Sequence, residues 1–149
     1  MKNILNSELV PRRQTTGSAG YDIYAVEDIC IVPNKYTTVD TGVVLEEEVM
    51  TLKCGYPCED ICKCETDNFV ALIMPRSSMG FKYGLRFSNT VCVIDKDYRD
   101  TIKLSMKSDT EFTIKAGERY AQLIFVPYLT CLYEIKPTAE RCGGIGSTN

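Results

Sequence analysis

The chain has 149 residues, of which 44% are hydrophobic and 25% charged. That is the composition of an ordinary globular domain, and a chain of this length hides roughly 68–70% of its unfolded surface on folding. Its net charge of −3 excludes a broad basic surface that would follow a nucleic-acid backbone, and the absence of His excludes His-based triads and His-containing metal sites. Acid–base chemistry near neutral pH is therefore left to Asp, Glu or bound water.

The first residues, Met1 to Ser7, carry no apolar stretch of signal-peptide length, and nowhere do 18 apolar residues run together. The expectations are no membrane partner, no direct nucleic-acid binding, and a cytoplasmic location, or the host cytoplasm if the source is viral. Without an export signal, the eight cysteines read as thiols or metal ligands before disulfides.

Along the chain, short apolar runs alternate with turn residues, and no 3.6-residue periodicity lasts beyond two turns. Strands are predicted at Ile29–Val32, Val43–Leu45 and Val70–Met74, followed by a short helical turn near Ser77–Phe81. The clearest strand is Thr101–Lys107, where Ile102, Leu104 and Met106 face one side and Lys103, Ser105 and Lys107 the other. Phe112 and Ile114 alternate with polar neighbours before a turn at Ala116-Gly117, and Arg119–Val126 forms an apolar strand that ends at Pro127. Many short strands with frequent turns point to an all-β sandwich, jelly roll or barrel. Two segments depart from this pattern: residues 49–68, with Cys54, Cys58, Cys62 and Cys64, and a glycine-rich tail over 137–149. With no repeat or low-complexity linker, the whole of 1–149 reads as one domain, with an inserted hairpin and a C-terminal arm.

The segment Val91-Cys92-Val93-Ile94-Asp95-Lys96-Asp97-Tyr98-Arg99 delivers two carboxylates and an aromatic ring to a turn. Alone, it reads most simply as a hairpin with Asp97 supporting the turn and Tyr98 packed on a sheet edge. Four other segments change that weighting. Together with it, Ser18-Ala19-Gly20-Tyr21-Asp22-Ile23, Pro75-Arg76-Ser77-Ser78-Met79-Gly80, Gly117-Glu118-Arg119-Tyr120-Ala121-Gln122-Leu123-Ile124 and Arg141 with Gly143-Gly144-Ile145-Gly146-Ser147-Thr148 resemble, in order, the five motifs of the dUTPase family. The resemblance spans Pro11 to the C-terminus. Each motif is only moderately specific, and their combination carries the inference.

The resemblance implies a jelly-roll-like β fold and a homotrimer, each active site assembled from the motifs of neighbouring chains, that hydrolyses dUTP to dUMP and pyrophosphate, keeping uracil out of DNA and supplying dUMP. It implies that Asp95 activates the water attacking the α-phosphate, a general-base task worth about 10²–10⁴-fold in rate. Tyr98 would stack on deoxyribose and exclude a 2′-hydroxyl, while backbone groups at Val91 and Val93 and the Asn89 side chain would read uracil. Ser77 and Ser78 would bind the phosphate chain, with Arg76 and Gln122 ordering it and nearby water. Asp22 would help to hold Mg²⁺, through water rather than directly, because Mg²⁺ retains waters and leans on phosphates. Read without the family, Asp22 fits an Asx-turn after Gly20-Tyr21, and Arg-Ser-Ser fits a helix cap. The tail lacks a P-loop Lys. By resemblance it is a flexible lid, in which Arg141 reaches the terminal phosphate and Ile145, Gly146 and Ser147 cover the nucleotide.

Three departures from the family pattern stand out. Cys92 and Asp100 occupy positions where glycine is usual, so either backbone strain arises or the Cys92 thiol simply lines the pocket, the second being the expectation. Ile145 replaces an aromatic residue, which removes base stacking worth about 1–3 kcal/mol and predicts weaker substrate binding. The cysteine-rich insertion fits reduced thiols, zinc or disulfides, and offers a surface for a protein partner. Two rival functions share the scaffold: a dCTP deaminase-like enzyme, disfavoured by Tyr98 and the arm, and a dUTP-gated regulatory protein.

Overall fold

The computed structural model describes residues 1–46 and 68–135. Eleven strands, one short α-helix and a 3-10 turn at Ser7–Leu9 follow the chain in these segments. Strands β2 (Tyr21–Tyr24), β6 (Phe69–Pro75), β8 (Cys92–Asp95) and β11 (Arg119–Pro127) form an antiparallel sheet in the order β2-β11-β6-β8. A second sheet pairs β4 (Thr37–Asp40), β9 (Lys103–Lys107) and β7 (Arg86–Phe87). Two ribbons, β10 (Phe112–Ile114) with β3 (Ile29–Ile31) and β1 (Lys2–Asn3) with β5 (Val43–Val44), complete an all-β fold.

Side-chain alternation decides which face of each strand is buried. In β6, Phe69, Ala71 and Ile73 are buried while Val70, Leu72 and Met74 are half-buried. In β9, the predicted row of Ile102, Leu104 and Met106 lies in the core, and the strand begins at Lys103, two residues later than its alternation suggests. The two sheets close over Ile23, Ile31, Ile73, Leu104, Met106, Ile114, Tyr120 and Leu123, all at most 1% exposed. At the rim of the core, the Tyr83 and Phe112 rings stack 3.9 Å apart.

The helical turn predicted at Ser77–Phe81 is helix α1, Ser77–Tyr83. Only Met79 of this helix is buried, and the helix stops at Gly84, whose left-handed φ of 62° lets its N–H bond back to the Gly80 carbonyl.

The N-terminus is clamped by Asn3, which is 4% exposed. Its amide donates to the Thr41 and Leu9 carbonyls, and its side-chain oxygen accepts from the Leu5 and Asn6 N–H groups. Gly42 makes this clamp fit. Its φ is +70°, and a Cβ there would lie 2.3 Å from the Asn3 side-chain oxygen and 2.9 Å from Leu5. Gly42→Ala should therefore cost at least about 2 kcal/mol, combining an unfavourable φ with loss of buried hydrogen bonds, as a lowered midpoint in equilibrium urea unfolding.

Candidate active site

Strand β11 organises the site because it lies between β2 and β6. Gln122 is opposite Asp22 on one side and Met74 on the other. These three residues therefore form one row on the sheet face turned away from the core. Asp22 is part of strand β2, so the Asx-turn reading does not hold; its N–H and C=O are paired with Arg12.

The Asp22 carboxylate is only 10% exposed and is gripped by two guanidinium groups. Arg76 Nε donates to Oδ1 at 3.0 Å and Arg119 Nη1 to Oδ2 at 3.1 Å. Arg76 sits at the junction between β6 and α1, in extended conformation at the helix N-cap, with its own N–H bonded to the Tyr120 carbonyl and its Nη1 to the Arg119 carbonyl. Its side chain makes no capping bond, so the helix-cap reading of Arg-Ser-Ser applies to position only. Ser77 and Ser78 open the helix and are exposed, where N–H groups lack intrahelical acceptors.

Beside this bridge lies a cleft of about 400 Å³, lined by Ser18, Gly20, Asp22, Arg76, Ser77, Arg119 and Gln122 among others. Three segments far apart in sequence thus meet at one place. Gly20 approaches Gln122 so closely that a Cβ on it would come within 3.0 Å of the amide oxygen. Among the described residues, no group of three or more His, Cys, Asp or Glu side chains could hold a metal ion. The donor set instead suits a cation carried in by phosphates: about four acceptor positions exist on a carboxylate, and the two arginine contacts leave others that can receive a metal-bound water.

A family model for dUTPase matches residues 7–149. The chain belongs to the dUTPase family. It is 32% identical over 154 residues to the deoxyuridine 5'-triphosphate nucleotidohydrolase of Nautilia profundicola, covering 99% of this chain and 96% of the relative. With the corresponding protein of Pseudomonas fluorescens it shares 36% over 145 residues, covering 92% and 85%. Among solved structures it resembles the Streptococcus mutans dUTPase at 30% identity with a TM-score of 0.65, covering 85% of this chain and 91% of that one. The dUTPase of S. aureus phage phi11, whose structure concerns coordination of a structural Mg(II) ion, has the same fold at 20% identity and a TM-score of 0.66, with 92% and 94% covered.

The third dUTPase motif lies elsewhere on the same sheet. Asp95 ends β8 opposite Val70, whereas Asp22 lies in the row of Met74 at the far side of the sheet. Four residues along β6 and three strand spacings across separate the two carboxylates by about 20 Å. Within one chain, then, Asp22, Arg76, Ser77 and Gln122 come together, and Asp95 does not join them. Asn89, Val91 and Val93 accompany Asp95 on the hairpin. Asn89 and Val93 are exposed, and the turn between β7 and β8 is tightened by the positive φ of Thr90 and a 2.6 Å bond from the Val91 N–H to the Asn89 carbonyl. Arg141, Ile145, Gly146 and Ser147, like Cys54, Cys58, Cys62 and Cys64, fall outside the described residues.

Tyr98 differs from its simplest reading. It is 4% exposed, belongs to the core rather than to a sheet edge, and donates its hydroxyl to the Thr101 carbonyl at 3.1 Å. Cys92 also departs from expectation, because its side chain packs in the core cluster opposite Ile73 instead of lining the pocket, and its φ is not positive. Burial pushes its thiol above the usual range, opposed in part by a hydrogen bond with Asn89. The strand parity of β8, with Val93 and Asp95 facing out, already places Cys92 inward. Arg119, the second partner of Asp22, was not among the site residues read from sequence. The one signal for it is its place in the fourth motif beside Gln122.

The exposure of Cys30 and Cys131 and the raised pKa of buried Cys92 predict graded reactivity. At pH 8, iodoacetamide should modify Cys30 and Cys131 in the native protein well before Cys92, as peptide mapping by mass spectrometry would show.

Proposed function

We infer that the protein hydrolyses dUTP to dUMP and pyrophosphate, with Mg²⁺ accompanying the triphosphate. The observation that carries this reading is the convergence of three dUTPase motifs on one cleft around the Arg76–Asp22–Arg119 bridge. Two guanidiniums against one carboxylate leave a net positive charge beside the N–H groups that open α1, an arrangement suited to a phosphate chain.

In the proposed division of labour, Asp95 accepts the proton of the attacking water. Arg76, Ser77 and Ser78 bind the phosphates, and Gln122, given room by the missing side chain of Gly20, orders the chain and nearby water. Arg141, Ile145, Gly146 and Ser147 would close over the nucleotide and exclude solvent. Asp22 would contact Mg²⁺ through water, and the ion when bound neutralises charge on the phosphate oxygens. Tyr98 and the Asn89–Val93 turn would select deoxyribose and uracil.

A complete site calls for more than one copy. A separation of about 20 Å between Asp22 and Asp95 exceeds the reach of a single triphosphate held at both ends, so the proposed assembly is a homotrimer in which neighbouring chains contribute different motifs. The outward face of the four-stranded sheet supports it, being an apolar field of Val70, Leu72, Met74, Ile124 and Val126 that the chain only half-buries. Beyond β11, Leu129, Leu132, Tyr133 and Ile135 are 87–98% exposed and offer further apolar surface. The whole of 1–149 is proposed as one domain. Among the described residues no helix is long and apolar enough to cross a membrane.

Pyrophosphate release from dUTP, dCTP, dTTP and UTP with Mg²⁺, coupled to inorganic pyrophosphatase, tests the function. We expect turnover of dUTP alone, and a loss of at least about 10²-fold in kcat for Asp95→Asn; an inactive wild type would refute the reading. Subunit sharing has its own test. Asp95→Asn and Arg76→Ala should each be inactive, yet the two variants unfolded and refolded together should regain activity, because mixed trimers contain some sites with neither substitution.

A further inference from the structure

We propose that Arg119 is a positioning residue for the triphosphate: it holds Asp22 in the orientation that locks Arg76, and it gives the cluster its net positive charge. The inference rests on the dUTPase reading and deepens it, since the sequence motifs direct attention to Gln122 three residues away and leave Arg119 without a role.

The geometry assigns the residue its task. A nearly buried carboxylate with one guanidinium would form a neutral pair, and a neutral pair has little reason to attract a highly charged anion. Arg119 changes that balance by engaging Oδ2 while Arg76 engages Oδ1. With both oxygens occupied, the carboxylate cannot swing away from Arg76. The backbone of Arg119 adds a second restraint, because its carbonyl accepts from Arg76 Nη1 at 3.3 Å. Two of the five N–H donors of Arg76 are thereby fixed, and the others are held in a defined plane for phosphate oxygens. Arg119 itself remains 37% exposed at the side chain and borders the cleft.

A purely structural Arg119 would affect every ligand alike or none, so the test compares ligands that differ in phosphate content. Arg119→Gln removes the charge and keeps an amide, and Arg119→Lys keeps the charge without the planar fork. We expect Arg119→Gln to raise KM for dUTP roughly tenfold, the effect of losing about one charge-assisted contact. Its inhibition constant for dUMP should stay within about twofold of wild type by the same measure. Arg119→Lys should recover part of the lost affinity. Parallel titration calorimetry with inorganic tripolyphosphate and Mg²⁺ should show the same weakening for Arg119→Gln. Equal losses for dUTP and dUMP, or no loss for either ligand in a variant with unchanged thermal unfolding, would overturn the proposal. Because tripolyphosphate binding needs no uracil recognition and no turnover, an Arg119-dependent signal would survive even if dUTP were not the substrate, which separates the failure of this inference from failure of the function.

Discussion

The pairing register of β11 is the constraint on which the rest depends. By placing Gln122 between Asp22 and Met74, it lines up residues of the first and fourth motifs on one face, beside the strand that leads into the second, and leaves Ala121 and Leu123 to the core. A slip of one residue would exchange those faces, burying Gln122 and turning Leu123 outward. The same hydrophobic alternation that closes the core therefore aims the polar side chains. Function and folding are specified here by one pattern, and the irregularity in the pairing of β11 with β2, between Arg119 and Ala121, falls where Arg119 must reach Asp22.

A carboxylate this deeply placed is costly to desolvate, and it is tolerated because both its oxygens are met by guanidinium groups. The partners come from different elements, one from the β6–α1 junction and one from β11. The bridge thus ties the start of the helix to the sheet. The rest of α1 is held by Met79, its one buried residue, and by Tyr83, whose ring stacks on Phe112 and whose carbonyl accepts from Ser108 and Thr110. A seven-residue helix is too short to persist on its own propensity, so its attachment decides where Ser77 and Ser78 stand.

Much of this was legible in the sequence, for physical reasons that differ between elements. Thr101–Lys107 announces itself because one face is apolar, and Arg119–Val126 because it is a largely apolar run that Pro127 stops. The short strands β2 and β4 do not, since Tyr21–Tyr24 and Thr37–Asp40 mix polar and apolar side chains without a readable alternation. Asp22, Arg76, Ser77 and Gln122 were found through motif order and do share a cleft. Arg119 escaped because charge pairing across strands has no sequence period. The inward turn of Cys92 and the burial of Tyr98 were also missed, although for Cys92 the outward placement of its two alternate neighbours fixed the answer. Chain order alone does not convey the separation of Asp95 from the other site residues, because linear proximity to a motif carries no information about which end of a sheet that motif occupies; only the family resemblance, which implies sites assembled from neighbouring chains, raises that expectation.

The position of Tyr98 has an evolutionary consequence. In its proposed role the ring discriminates between sugars, yet it is also a core side chain whose hydroxyl fastens the loop between β8 and β9. Most changes that would relax selection against ribonucleotides at this position would also leave a cavity and an unpaired Thr101 carbonyl. Selectivity and foldability are thus linked in a single side chain, and a lineage drifting toward a broader substrate range would have to pass through unstable intermediates or alter the pocket from some other residue.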